Sequence, residues 1–179
     1  MDSRPVLDLI AAAQREERLT LVGIGGHGAA GKTMLARMVP GAQVVSTDEF
    51  WDGEGFDLDR LEREVVAPLG RGEAATFASY DWAAQETRGS RTVEPTGVVV
   101  VEGVCALHRK LRDAYAVRIW VEASYEVRLA RAVARDGEEA RVRWETRWMP
   151  SEERYIERDD PIPSAHVIVD GSGGASPGA

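Results

Sequence analysis

The fold of this chain is decided by the stretch Gly26-His27-Gly28-Ala29-Ala30-Gly31-Lys32-Thr33. It matches the pattern G-x-x-x-x-G-K-[ST] without a gap. Residues 19–24 (LTLVGI) predict a β-strand before it, and residues 32–39 predict a helix after it, with Leu35, Met38 and Val39 on one face. A strand, a glycine-rich turn and a helix in this order are typical of a loop that binds phosphate.

The residue types of residues 26–33 suit a nucleoside triphosphate. Glycines let consecutive backbone N–H groups curl around phosphate oxygens, and a helix beginning near Lys32 directs its positive end at the same anion. Lys32 can reach the β- and γ-phosphates, and the Thr33 hydroxyl can bind Mg²⁺. We therefore predict that all eight residues bind ATP, against the alternative of a glycine-rich turn with a surface lysine.

Outside this loop, short β-branched runs alternate with helical patterns. Leu58, Leu61, Val65 and Leu69 recur at helical spacing, and residues 76–80 could pair with 91–93. The alternation predicts an α/β P-loop NTPase fold, in which helices flank a doubly wound, mainly parallel five-stranded sheet. The predicted strands of this sheet are residues 19–24, 43–46, 98–101, 117–121 and 167–169.

Length and composition predict one globular domain. The chain has 179 residues, of which 44% are hydrophobic and 29% charged. We expect a single domain over residues 1–170, followed by a flexible tail at 171–179, where GSGGASPGA is low in complexity.

Charge and cysteine content exclude several classes of protein. The net charge of −8 argues against nucleic acid as a partner, because nonspecific binding needs a basic surface. Cys105 is the single cysteine, so no intramolecular disulfide can form, and we expect a cytoplasmic protein. The N-terminus does not resemble a signal peptide, and no apolar run approaches the roughly 20 residues that a membrane span needs.

Two acids follow predicted strands of the sheet. Asp48 lies just after residues 43–46, and Glu102 directly follows residues 98–101. The carboxyl ends of parallel strands face the ligand crevice, so we expect both acids near the phosphates. Asp48 could accept the proton of an acceptor hydroxyl, and Glu102 could orient the metal. The alternatives are a helix cap or turn for Asp48 and an ordinary strand-end acid for Glu102.

Three arginines, Arg128, Arg131 and Arg135, are spaced to share one face of a helix. They could lie along a triphosphate and stabilise charge on the transferred group. The alternative is a solvated basic face. Trp144 and Trp148, four residues apart, form either a hydrophobic stripe or a clamp on the substrate.

Together these segments resemble the uridine kinase family of P-loop kinases, as found in short uridine kinase-like proteins of high-GC bacteria. The resemblance covers about residues 21–170. The blocks that carry it are GIGGHGAAGKT at 23–33, STDEFW at 46–51, SYDW at 79–82, VVVVEG at 98–103 and RLARAVARD at 128–136.

The resemblance implies roles at the phosphates and a small lid at about 136–150. It implies that Asp48 is the catalytic acid that activates a 5′-hydroxyl, with Lys32 and Arg135 beside the transferred group. Thr33, Asp48 and Glu102 would group around Mg²⁺, and residues 170–173 would hold adenine.

For the acceptor, the resemblance implies a pocket that binds a nucleoside. The residues assigned to it are Asp57 or Asp59 for the ribose, Tyr80 and Trp82 for the base, and Gln85, Arg141 and Arg143. The chain departs from the family at three positions. Gln85 stands where a histidine is usual, Ala132 replaces an arginine, and Arg143 replaces a glutamine.

We therefore predict an ATP- and Mg²⁺-dependent kinase that phosphorylates the 5′-hydroxyl of a nucleoside, uridine or cytidine. A switch GTPase would carry N-K-x-D, which this sequence lacks. Two alternatives stay open: a kinase for another small alcohol or ribosyl compound, and a nucleotide-binding regulatory module without an acceptor. The expected partner is a small molecule, without nucleic acid or membrane, and a homo-oligomer is compatible with the sequence.

Overall fold

A computed structural model describes residues 2–14 and 18–173 of the chain. Its centre is a five-stranded parallel sheet of strand order β2-β5-β1-β6-β7. This confirms the predicted doubly wound fold, and each predicted strand lies within an observed one. The strands of the sheet are β1 Leu19–Gly26, β2 Gln43–Ser46, β5 Gly97–Glu102, β6 Val117–Glu122 and β7 Val167–Asp170.

The four consecutive valines of β5 explain why the sheet is covered on both faces. Val99 and Val101 belong to one hydrophobic cluster, and Val98 and Val100 belong to another. Successive side chains of a strand point to opposite faces, so an unbroken valine run requires apolar partners on both sides. Trp120 on β6 is fully buried in the first cluster.

Helices flank the sheet on both faces. The predicted amphipathic helix forms as α3 (Leu58–Leu61), a π-helical turn (Glu62–Val66) and α4 (Ala67–Gly70) in direct succession. The helix after the glycine-rich loop ends one residue earlier than predicted, and Met38 is 43% exposed rather than on its buried face. The helices around the sheet are α1 Arg4–Gln14, α2 Lys32–Met38, α3 Leu58–Leu61, α4 Ala67–Gly70 and α5 Tyr125–Asp136.

The predicted lid region is helical. A 3₁₀ turn at Glu138–Ala140 leads into α6 (Arg141–Arg143), a π-helical turn (Trp144–Trp148) and α7 (Met149–Asp159). These segments pack on α5 through a small apolar cluster of their own. Among the described residues, no helix is long and apolar enough to cross a membrane.

The two short runs that could pair do form a hairpin beside the main sheet. Its strands β3 (Ala75–Asp81) and β4 (Glu86–Val93) are antiparallel. At the other end of the chain, Gly171 is the first residue of the segment predicted to be a tail, and it belongs to the described fold. Gly171 is buried and its N–H donates to the Glu122 carbonyl at 2.7 Å, while residues 174–179 lie outside the described residues.

Candidate active site

The glycine-rich loop connects β1 to α2, as its pattern predicts. Gly31 stands at the N-terminal cap of α2 with φ of 111°, and Gly26 has φ of 145°. A Cβ at Gly26 would lie against the Val121 carbonyl oxygen of the neighbouring strand. Only glycine combines this backbone angle with this close approach, so the loop sits directly on the end of β6.

Lys32 is buried at the start of α2. Its Nζ donates a hydrogen bond to the His27 carbonyl at 2.7 Å. Burial lowers the pKa of Lys32, and the carboxylates of Glu102, Glu152 and Asp48 oppose that shift. Three carboxylates from separate segments therefore interact electrostatically with one buried ammonium group.

Thr33 and Glu102 meet across the sheet. The Thr33 hydroxyl donates to Glu102 Oε1 at 3.0 Å, although the two residues are 69 positions apart in the chain. Glu102 is buried, and burial raises its pKa against the opposing effects of Lys32 and Thr33. The parallel registers of β1 and β5 bring these residues together at the carboxyl edge.

Asp48 lies in a 3₁₀ turn (Thr47–Phe50) after β2. Ser46 caps this turn: its Oγ accepts from the Asp48 N–H at 3.3 Å, and its own N–H donates to Glu49 at 3.0 Å. Asp48 is thus not the cap, which leaves its carboxylate available to a ligand. The side chain is accessible at the crevice, yet enough protein surrounds it for desolvation to raise its pKa, against Lys32 and Arg135.

The oxygen atoms at this edge suit Mg²⁺. Thr33 offers a hydroxyl, and Asp48 and Glu102 offer carboxylates, all of them the hard oxygen ligands that Mg²⁺ prefers. The described residues contain no group of three or more His, Cys, Asp or Glu arranged to enclose a metal. Mg²⁺ is commonly bound through one or two protein carboxylates together with substrate phosphates and water.

The three arginines of α5 do not share one environment. Arg128 is 4% exposed and pairs with Glu152 at 3.3 Å and Glu153 at 3.5 Å. This burial excludes the alternative of a solvated basic face for Arg128. Arg131 donates weakly, at 3.4–3.5 Å, to carbonyls of Ala29, Ala30 and Ser172.

Arg135 alone remains exposed at the crevice. It pairs with Asp136 at 2.7 Å, and its guanidinium lies 5.7 Å from the Trp144 ring centroid. Its charge also reaches Asp48. Arg135 therefore lies near the predicted catalytic acid Asp48, whereas Arg128 points inward and Arg131 donates to backbone carbonyls of the loop.

An aromatic group follows the Asp48 turn. Trp51 and Trp82 have ring centroids 5.5 Å apart, and Tyr80 and Trp82 are 5.1 Å apart. Phe56 packs edge-on against Trp51. Tyr80 and Trp82 are thus brought together with a ring, that of Trp51, which the sequence analysis did not select. The sequence signal for Trp51 was its position as the last residue of the STDEFW block.

Other predicted acceptor residues have partners elsewhere. Asp57 caps α3, because its Oδ1 accepts from the Arg60 N–H at 2.9 Å. Asp59 is exposed and pairs with Lys110. Gln85 lies in the exposed turn of the β3–β4 hairpin with φ of 55°.

The predicted lid arginines and tryptophans form contacts within the lid. Arg141 pairs with Glu138, and Arg143 lies over the Trp148 ring at 5.3 Å. Trp144 is buried in the lid cluster with Trp148 packed against it, which favours the hydrophobic stripe over the clamp.

Glu152 is a second residue, besides Trp51, that the sequence did not single out. It lies on α7, is 7% exposed, and contacts Gly28 of the glycine-rich loop. The signal was an acid within an otherwise buried stripe of α7, where Met149, Tyr155 and Asp159 recur at helical spacing.

The sequence model of the Phosphoribulokinase / Uridine kinase family matches residues 41–171, nearly three quarters of the chain. The chain belongs to this family. The matched segment includes Asp48, Glu102 and the α5 arginines, and the glycine-rich loop precedes it.

Individual relatives differ in how much of their length aligns. A uridine kinase of Limosilactobacillus reuteri is 25% identical over 149 residues, which cover 69% of this chain and 67% of that protein. The inorganic pyrophosphatase TTM2 of Arabidopsis thaliana is 29% identical over 140 residues, which cover 69% of this chain. The chain spans only 21% of the length of that plant protein.

Solved structures share the fold. The crystal structure of a candidate fructose transport system kinase from Silicibacter sp. TM1040 matches with a TM-score of 0.78 at 21% identity, covering 94% of this chain and 99% of that one. At 21% identity, this match shows that the two chains share a fold.

Proposed function

We propose that the chain transfers the γ-phosphoryl group of ATP to the 5′-hydroxyl of a nucleoside, with uridine or cytidine as the favoured acceptor. One observation carries this proposal: Lys32, Thr33, Asp48 and Glu102 meet at the carboxyl edge of the parallel sheet. The glycine-rich loop beside them and membership of the family support it.

Each of these residues has a part that its position supports. Lys32 neutralises the phosphates, and Arg135 stabilises charge on the transferred group. Thr33, Asp48 and Glu102 are the residues that would hold Mg²⁺, which when bound offsets the negative charge of the phosphates. The chemistry needs little beyond positioning and charge stabilisation.

Asp48 is suited to take the proton of the acceptor hydroxyl. Desolvation raises its pKa. A general base is most effective when its pKa lies near the working pH, and a raised pKa moves a carboxylate toward that range.

The acceptor side supports a planar ring. The Trp82 ring lies between those of Trp51 and Tyr80, with centroid distances of 5.5 Å and 5.1 Å, so the three side chains offer an aromatic surface. Trp82 is 53% exposed, so it has apolar surface that a ring could cover. Asp57 uses one carboxylate oxygen to cap α3. Its other oxygen is the candidate to accept a hydrogen bond from a ribose hydroxyl.

The first alternative keeps the phosphoryl transfer and changes the acceptor to another small alcohol or ribosyl compound. Gln85 favours it, because that residue lies in an exposed turn where the family places a histidine for the base. The second alternative, a regulatory module, binds ATP without transferring phosphate.

The experiment is phosphoryl transfer from ATP with Mg²⁺ to a panel of nucleosides, sugars and small alcohols, with products identified by mass. Asp48→Asn is compared with Asp52→Asn, a matched control in the same segment. Asp52 is exposed, and its side chain accepts the N–H groups of Glu54 and Gly55, which asparagine can also do.

We expect uridine or cytidine to gain one phosphate, Asp48→Asn to lose nearly all activity, and Asp52→Asn to keep it. Phosphorylation of a different panel member, with the same loss in Asp48→Asn, would establish the first alternative. ATP binding without any phosphorylated product would favour the regulatory module.

A further inference from the structure

Glu152 places a carboxylate on the glycine-rich loop itself. The Gly28 N–H donates a hydrogen bond to it, and its Oε1 lies 2.5 Å from where a Cβ at Gly28 would stand. The Trp144 ring covers the same spot, 2.8 Å from that position. A loop whose N–H groups suit phosphate thus holds a protein anion at Gly28.

The same carboxylate pairs with Arg128, and both side chains are buried. Glu152 Oε2 lies 3.3 Å from the Arg128 guanidinium, and the two are 7% and 4% exposed. Arg128 Nε has no hydrogen-bond partner among the described residues. A buried ion pair with a spare donor is costly to maintain, which argues that this charge arrangement serves binding rather than stability.

Lys32 is engaged internally as well. Its Nζ donates to the His27 carbonyl, and its charge interacts with Glu152. In loops of this pattern the lysine reaches the β- and γ-phosphates. Glu152 therefore occupies the region that the outer phosphates need, with the Gly28 N–H, Lys32 and Arg128 around it.

We propose that Glu152 is a latch that the terminal phosphate of a nucleoside triphosphate displaces. The phosphate takes over the Gly28 N–H and the positive charges of Lys32 and Arg128, and the first turn of α7 moves away with Glu152. This inference rests on the proposed function, because it assumes that the loop binds ATP.

Two physical reasons support displacement. Two anions cannot share one N–H and one pair of cations without strong repulsion, so the terminal phosphate and the carboxylate exclude each other. Glu152 also belongs to the helix that follows the lid, so its release couples the third phosphate to lid movement. A diphosphate lacks the competing group and leaves the latch closed.

The test compares ATP and ADP affinities, with Mg²⁺, by calorimetry in Glu152→Gln and Glu153→Gln. Glutamine keeps the shape and an acceptor for Gly28 but removes the charge. Glu153 is the matched control, since it pairs with Arg128 and His27 from the next position and its side chain is 54% exposed.

We expect Glu152→Gln to raise the preference for ATP over ADP by about tenfold, an ordinary size for coupling between two groups. Glu153→Gln should leave that preference unchanged. An equal change for ATP and ADP, or weaker ATP binding, would overturn the latch.

A second measurement uses the unaltered chain, should Glu152→Gln fold poorly. Hydrogen–deuterium exchange in residues 149–153 should be faster in the ATP complex than in the ADP complex, and equal or slower exchange contradicts the latch. Absence of a nucleotide site looks different: if neither nucleotide binds the unaltered chain or any variant, both proposals are overturned. If ATP binds and opens the latch but no acceptor is phosphorylated, only the proposed phosphoryl transfer fails.

Discussion

Lys32 is one of only two lysines in the chain, and the two have opposite surroundings. Lys32 is buried at the glycine-rich loop among three carboxylates, whereas Lys110 lies on the exposed surface and pairs with Asp59. The lysine that the loop pattern predicts to bind phosphate is thus the one that the fold buries.

This pair offers a matched test of the loop. Lys32→Ala should weaken ATP binding at least about tenfold, because a hydrogen bond to a charged group contributes roughly 1.5–3 kcal/mol. Lys110→Ala should leave the affinity unchanged. Calorimetric titration measures both, and equal effects of the two substitutions would remove Lys32 from the phosphate site.

At the scale of the element, α5 connects the crevice to the glycine-rich loop. It carries a buried, a partly buried and an exposed arginine at spacings of three and four. Its start is capped by Ser124, whose Oγ accepts the Val127 N–H at 3.4 Å.

Removing this cap should destabilise the fold measurably. Ser124→Ala should lower the free energy of unfolding by about 1 kcal/mol, the usual contribution of a serine cap. Urea denaturation gives the value, with Ser90→Ala, an exposed residue of β4, as the control. If both variants unfold at the same urea concentration, the cap contributes nothing to the stability of α5.

At the scale of the whole molecule, three carboxyl groups from distant segments converge on one crevice. Burial raises the pKa of Asp48, of Glu102 and of Glu152. Each holds its proton more tightly in the folded than in the unfolded chain. The free energy of unfolding therefore falls as the pH rises from the usual pKa of the group through the raised one.

Glu102→Gln should remove one such contribution. Its stability relative to the unaltered chain should rise as the pH increases above the usual pKa of a glutamate, because the raised pKa of Glu102 no longer contributes. Loss of the Glu102 charge also removes a carboxylate that stabilises the Lys32 ammonium group, which changes the free energy of unfolding at every pH. The informative quantity is therefore the change of that free energy with pH and not its value at one pH. Urea denaturation across the pH series provides it.

The control is Glu122→Gln, an exposed acid at the end of strand β6 in the same sheet. Its stability should follow the unaltered chain at every pH. A flat difference for Glu102→Gln as well would mean that the Glu102 pKa is not raised in the folded chain.

Local sequence patterns are enough to predict the sheet, the glycine-rich loop and the edge at which Asp48 and Glu102 lie. These features are local: glycine spacing sets the backbone of residues 26–33, and an unbroken valine run in β5 requires cover on both faces. Parallel strands then bring their carboxyl ends together without further information. The amphipathic spacing of α3 and α4 is equally local.

The side chains that complete the crevice, in contrast, depend on how distant segments pack together. Equal helical spacing on α5 cannot tell that Arg128 turns inward to Glu152 while Arg135 stays exposed, because that choice depends on what packs against the helix. The contact of Glu152 and Trp144 with Gly28 joins residues more than a hundred positions apart in the chain. Such contacts follow from the packing of the lid helices on the loop, which no local pattern encodes.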